Sequence, residues 1–123
     1  MIEVSDIRRG SVLEREFAMR WGALTPQAPR LNREVKFNSE RKWRFDFAHP
    51  ASKVAIECEG GVWSRGRHTR GGGFVSDARK YAEAQMSGWI VFRLEGRLIR
   101  DWKFLQRLAE FIRQNTPEET SND

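Results

Sequence analysis

The chain has 123 residues, enough for one domain around one core, and its composition of 39% hydrophobic and 32% charged residues, with five Trp and eight Phe, excludes a disordered chain. Lys and Arg number 22 against 17 Asp and Glu, a net charge of +5 that favours an anionic partner. One cysteine, Cys58, excludes an internal disulfide and a cysteine zinc site, and the opening MIEVSDIRRG lacks the apolar run of a secretory signal; with no apolar run of about eighteen residues to span a membrane, a cytoplasmic protein is expected.

From Ser11 to Trp21, SVLEREFAMRW places Leu13, Phe17 and Trp21 at i, i+4 and i+8 on one stripe of an amphipathic helix, and Gly22 stops it. TPQAPRLN, with two prolines and no periodicity, reads as a connecting loop. REVKF and RKWRFDFA flank the turn signal NSE, and in the second run Trp43, Phe45 and Phe47 alternate with Arg44, Asp46 and Ala48, so a hairpin is expected. HPAS supplies a turn with Pro50 at its second position, and KVAIECE is apolar enough to be a central strand. After a glycine-rich loop, FVSDARKYAEAQMSG has helical spacing in Phe74, Ala78, Tyr81, Ala82, Gln85 and Met86, with Gly88 placed to end it. WIVFRL is a short apolar strand. DWKFLQRLAEFIRQ sets Trp102, Leu105, Leu108 and Ile112 on one stripe behind Asp101 as N-cap, ahead of the polar tail NTPEETSND. The expected order is α-β-β-β-α-β-α: one domain over residues 1–115, then a tail over 116–123 expected to be disordered.

Alternation decides which side chains meet. In KVAIECE, Ala55, Glu57 and Glu59 face one way and Val54, Ile56 and Cys58 the other, while Asp46 is expected opposite Trp43, Phe45 and Phe47. Pairing through the HPAS turn brings Asp46 close to Glu57. Carboxylates that close repel unless protons or a cation compensate, and hard oxygen donors of this kind suit Mg²⁺ or Mn²⁺. The other account pairs Glu57 and Glu59 with the chain's many arginines. Ser11 and Glu14 have capping-box spacing. In GGVWSRGRHTRGGG, Arg65, Arg67 and Arg70 can neutralise phosphates and Trp63 can stack on bases, or lie in a core beneath the loop. Its G-x4-G spacing lacks the lysine and Ser/Thr of a P-loop, with Arg67 and His68 in their places. DNA is the expected partner, ahead of RNA held by TRGGG.

The pattern D-x10-E-x-E at the ends of the second and third strands resembles the PD-(D/E)xK nuclease superfamily over roughly Ser11 to Leu94. The resemblance implies a restriction-endonuclease-like αβββαβ core, with a mixed central sheet flanked by helices, and a metal-dependent DNA endonuclease. By position, Asp46 would be the metal-binding aspartate and Glu57 the second metal carboxylate. Glu59 falls where the superfamily usually has lysine and would act as base or extra ligand, and Lys80 on the following helix would restore the displaced positive charge. Glu14 would approach the metal from the first helix, and His68 would serve as base or phosphate donor; capping for Glu14, a solvated helix lysine for Lys80 and an incidental loop histidine are the other readings. FDFA, AIECEGGVW, His68 and DARKYAEAQMSGWIVFR are similar to very-short-patch-repair endonucleases and their relatives. Ser64 stands where those enzymes have a catalytic histidine and their structural-zinc cysteines are absent, so mismatch-specific nicking does not carry over. A single site of this size implies nicking or a homodimer. The missing lysine also allows a catalytically inactive DNA-binding or assembly protein on the same scaffold.

Overall fold

The computed structural model describes residues 10–60 and 71–118, with the side chains of 71–76 outside that description. Trp63, Arg65, Arg67, His68 and Arg70 therefore lie outside the described residues.

Helix α1 spans Val12–Gly22 and starts where the capping box predicts. The Ser11 hydroxyl accepts the Glu14 N–H at 3.2 Å, and the Glu14 carboxylate accepts the Ser11 N–H at 3.3 Å. These bonds satisfy two of the donors that a helix start leaves without partners. Phe17, Ala18 and Trp21 on its inner face are buried.

Strands β1 (Asn32–Lys36), β2 (Arg44–His49) and β3 (Val54–Cys58) form an antiparallel meander, and β4 (Ile90–Leu94) joins β3 in parallel after helix α2 (Gly71–Met86). The sheet is mixed, in the order β1-β2-β3-β4. The Asn38 carboxamide oxygen accepts the Glu40 and Arg41 N–H groups in the β1–β2 connection, and Ser52 N–H closes the next turn on His49 O at 3.1 Å with Pro50 at its second position. Val54, Ala55 and Ile56 are buried completely, as expected of a central strand.

Helices cover both faces of the sheet. On one, Phe17 and Trp21 of α1, Ile99 of the short helix α3 (Gly96–Ile99) and Leu105, Leu108 and Ile112 of α4 (Trp102–Gln114) pack on Phe47, Val54, Ile56 and Leu94. On the other, Ala84 of α2 and Trp89 pack on Phe45, Ala48 and Ala55. No helix among the described residues is long and apolar enough to cross a membrane.

Four local expectations change. Helix α2 begins at Gly71, ahead of Phe74. Helix α3 was not anticipated; its four residues are too few for periodicity to show, and the Glu95 carboxylate caps it by accepting the Leu98 N–H at 3.0 Å. Trp102 is exposed beneath the Arg20 guanidinium, 5.1 Å away, and Ala109 joins the buried stripe of α4. Phe45 and Phe47 lie in opposite cores, so β2 switches faces at Asp46 instead of keeping its two-residue alternation.

Candidate active site

The face switch builds the site. The β2–β3 register runs His49↔Val54, Ala48↔Ala55 and Phe47↔Ile56, and the next rung would set Asp46 against Glu57. Side chains make that rung instead. Asp46 N–H donates to Glu57 Oε2 at 2.9 Å, and Cys58 N–H donates to Asp46 Oδ2 at 2.8 Å. Each carboxylate thus satisfies a backbone donor where the two strands part, which fixes both acids in orientation. On the far side of β2, Glu34 of β1 takes a left-handed φ of 50° between the Arg33↔Phe47 and Val35↔Phe45 pairs, so the irregularity spans both strands.

Glu57 is only 6% exposed, a position at which a carboxylate needs a cation or several donors. Its Oε1 accepts Lys80 Nζ at 2.5 Å and the Tyr81 hydroxyl at 3.0 Å. Lys80 Nζ also donates to Arg44 O at 2.7 Å, so one lysine ties α2 to β2 and β3. Of the residues given helical spacing in α2, Tyr81 faces the sheet and the others described do not. Ala78, Ala82, Gln85 and Met86 are exposed, and Asp77, Lys80, Tyr81 and Ala84, spaced three and four apart, turn toward the sheet. The helix presents polar groups inward because the strand beneath it offers a buried carboxylate.

Burial first, and the neighbouring Glu57 charge second, push the Asp46 carboxyl up to about 7, against the lowering effect of the Cys58 N–H. Burial also pushes the Cys58 thiol up, with the Asp46 charge adding to it, so this cysteine stays protonated. Tyr81 is raised by burial and by Glu57, which keeps its hydroxyl a donor.

Glu59, Glu14 and Lys80 are the other candidates among the described residues. Glu59 is engaged by Arg93 in a two-pronged ion pair, Nη2 to Oε1 at 3.2 Å and Nε to Oε2, and the Arg93 guanidinium lies 4.5 Å from the Tyr81 ring centroid. The arginine-paired account therefore describes Glu59. Glu14 both caps α1 and pairs with Arg33 at 3.1 Å, and its charge adds to the raising of Asp46 and Cys58. Lys80 is no solvated helix lysine.

No group of three or more His, Cys, Asp or Glu side chains arranged for a metal occurs among the described residues. Asp46 and Glu57 are the pair that could hold a hard divalent ion of the Mg²⁺ type, which takes one or two protein carboxylates and completes its sphere with water and phosphate oxygens. Arg93 and the contact of Tyr81 with Glu57 escaped the sequence reading. The available signal was the i, i+3, i+4, i+7 row Asp77-Lys80-Tyr81-Ala84, which is visible only once a polar inner face is admitted. No protein-family model, curated protein or solved structure matches this chain.

Proposed function

We propose that this protein is a metal-dependent DNA endonuclease, built on a restriction-endonuclease-like core and allied to the PD-(D/E)xK nucleases, within them to the very-short-patch-repair type. One observation carries the reading: Asp46 and Glu57 lock each other at the parting ends of two strands, with the Lys80 ammonium seated on Glu57. Two carboxylates can hold a divalent ion and a lysine can place a cation beside the phosphate, a set able to assist phosphodiester hydrolysis.

Asp46 and Glu57 would hold Mg²⁺ or Mn²⁺, which when bound supplies a water of lowered pKa and positive charge for the leaving oxygen. The protein's own groups do the rest. Asp46 sheds its proton near neutrality, so the site becomes competent for a cation as pH passes about 7. Lys80 spends two of its three N–H groups on Glu57 and Arg44 O, leaving the third for a phosphate oxygen. Tyr81 holds Glu57 in orientation, and Glu59, bound to Arg93, supports the rim instead of acting as base. Arg65, Arg67, Arg70 and Trp63 remain the proposed DNA contacts of the loop, with His68 as a phosphate donor.

Supercoiled plasmid incubated with Mg²⁺, Mn²⁺ or EDTA tests this, with Asp46→Ala alongside. Metal-dependent cleavage that the variant lacks supports the reading, and nicked against linear product distinguishes one site from a homodimer. The second reading, a non-catalytic DNA-binding or assembly protein, draws on the same lysine: Lys80 already balances Glu57 without a metal. Binding of DNA with no cleavage of plasmid, branched or mismatched duplex would favour it.

A further inference from the structure

Between Lys36 and Arg44 the chain carries four cations, Lys36, Arg41, Lys42 and Arg44, against the single acid Glu40. All four cations are exposed, and they surround the tip of the β1–β2 hairpin.

A two-stranded tip bearing like charges would ordinarily fray. This one is braced by a column of rings leading outward from the core. Trp89 meets Phe45 at 5.0 Å between centroids, Phe45 stacks on Phe37 at 4.3 Å, Phe37 stacks on Trp43 at 6.2 Å, and the Arg41 guanidinium lies 5.2 Å from the Trp43 centroid. Asn38 closes the turn beneath Arg41. At the other end the carbonyl of Arg44 takes the hydrogen bond from Lys80, the lysine seated on Glu57. The basic tip is thus fixed relative to the carboxylate pair.

We propose that this hairpin tip is a phosphate-binding grip for duplex DNA, a contact surface additional to the loop and resting on the nuclease reading of the adjacent site. An extended strand advances about 3.3 Å per residue, so Arg44 begins about 7 Å from Asp46. Along the axis of duplex DNA each strand carries a phosphate roughly every 3.4 Å. The tip therefore meets phosphates neighbouring the one at Asp46 and Glu57, and it positions the duplex without reading sequence.

Binding of a labelled DNA duplex in EDTA, followed by fluorescence anisotropy across a salt series, tests the grip. Each lost phosphate contact lowers the salt slope by about 1, so Arg41→Gln/Lys42→Gln and Lys36→Gln/Arg44→Gln should each lower it by about 2 and weaken binding alike for unrelated sequences. Lys103→Gln, at an exposed position of α4, should keep the wild-type slope. The second pair leaves Arg41 on Trp43 and guards against a disturbed platform, and thermal melts verify that both variants fold. Wild-type slopes and affinities in both pairs overturn the grip while leaving the nuclease to plasmid cleavage. Reduced slopes with no cleavage by the wild type sustain the grip and remove the nuclease. Absence of duplex binding by the wild type overturns the grip and leaves the nuclease to plasmid cleavage, and tighter competition by duplex RNA overturns the assignment to DNA.

Discussion

Lys80 is where the candidate site can be interrogated one atom group at a time. It is the one cation in contact with Glu57 among the described residues, and both side chains are largely buried. Removing one partner of such a pair leaves a charge out of water and uncompensated, a cost on the order of 3 kcal/mol. Lys80→Met should therefore lower stability by about that amount in urea denaturation. Adding Glu57→Gln to Lys80→Met should recover part of the loss, because the stranded charge is then gone; a double variant less stable than the sum of the singles would show that the ion pair is not what Lys80 supplies. Tyr81→Phe removes one donor to the same carboxylate and should cost about 1.5 to 3 kcal/mol, the range for a hydrogen bond to a charged acceptor. The three changes differ in what they should do to cleavage. Lys80→Met and Glu57→Gln should abolish it, whereas Tyr81→Phe should reduce it and leave its metal requirement in place.

Helix α2 shows what the linear pattern could and could not convey. Where a segment buries apolar side chains in a regular element, the reading transferred: the capping box of α1, the central β3, the Pro50 turn and the Asp101 cap of α4 all occur where the residues place them. The convergence of Asp46 with Glu57 was legible too, since a short turn between alternating strands brings those positions together. Two features were not, and for one reason. Strand β2 switches faces because carboxylates replace a backbone rung, and α2 turns Lys80 and Tyr81 inward because one of those carboxylates is beneath it. Helical spacing grouped Tyr81 with Ala78, Ala82, Gln85 and Met86, and of these only Tyr81 turns inward. A pair of substitutions separates the two faces. Ala84 is fully buried against the sheet, and Ala84→Leu should overpack it and cost about 1 to 3 kcal/mol. Met86 is 75% exposed, and Met86→Lys should change stability by less than about 0.5 kcal/mol. The reverse order of effects in thermal melts would restore the apolar face as the inner one.

At the scale of the whole molecule the carboxylate pair couples folding to pH and, under the proposed function, to metal. The Asp46 carboxyl is raised from its ordinary 3.8 to about 7, so between those values the folded chain holds a proton that the unfolded chain has released. Stability then falls as pH rises from about 4 to about 7 and stops falling above, the opposite sense to an acid stabilised by a cation. His49 acts in the other direction: burial lowers it, so the unfolded chain binds its proton more readily and stability rises as pH climbs through the histidine range. The wild-type curve is the sum, and the difference between wild type and Asp46→Asn isolates the carboxyl. In EDTA, urea midpoints should show wild type losing stability relative to Asp46→Asn from pH 5 to pH 7. Mg²⁺ should oppose that loss, because a cation seated on Asp46 and Glu57 requires the deprotonated acid and releases its proton. The stabilisation by a fixed Mg²⁺ concentration should accordingly be larger at pH 8 than at pH 6, and absent in Asp46→Asn at both. Equal Mg²⁺ effects at the two pH values, or an effect that survives in Asp46→Asn, would mean that the ion binds elsewhere and that the raised carboxyl serves the fold alone.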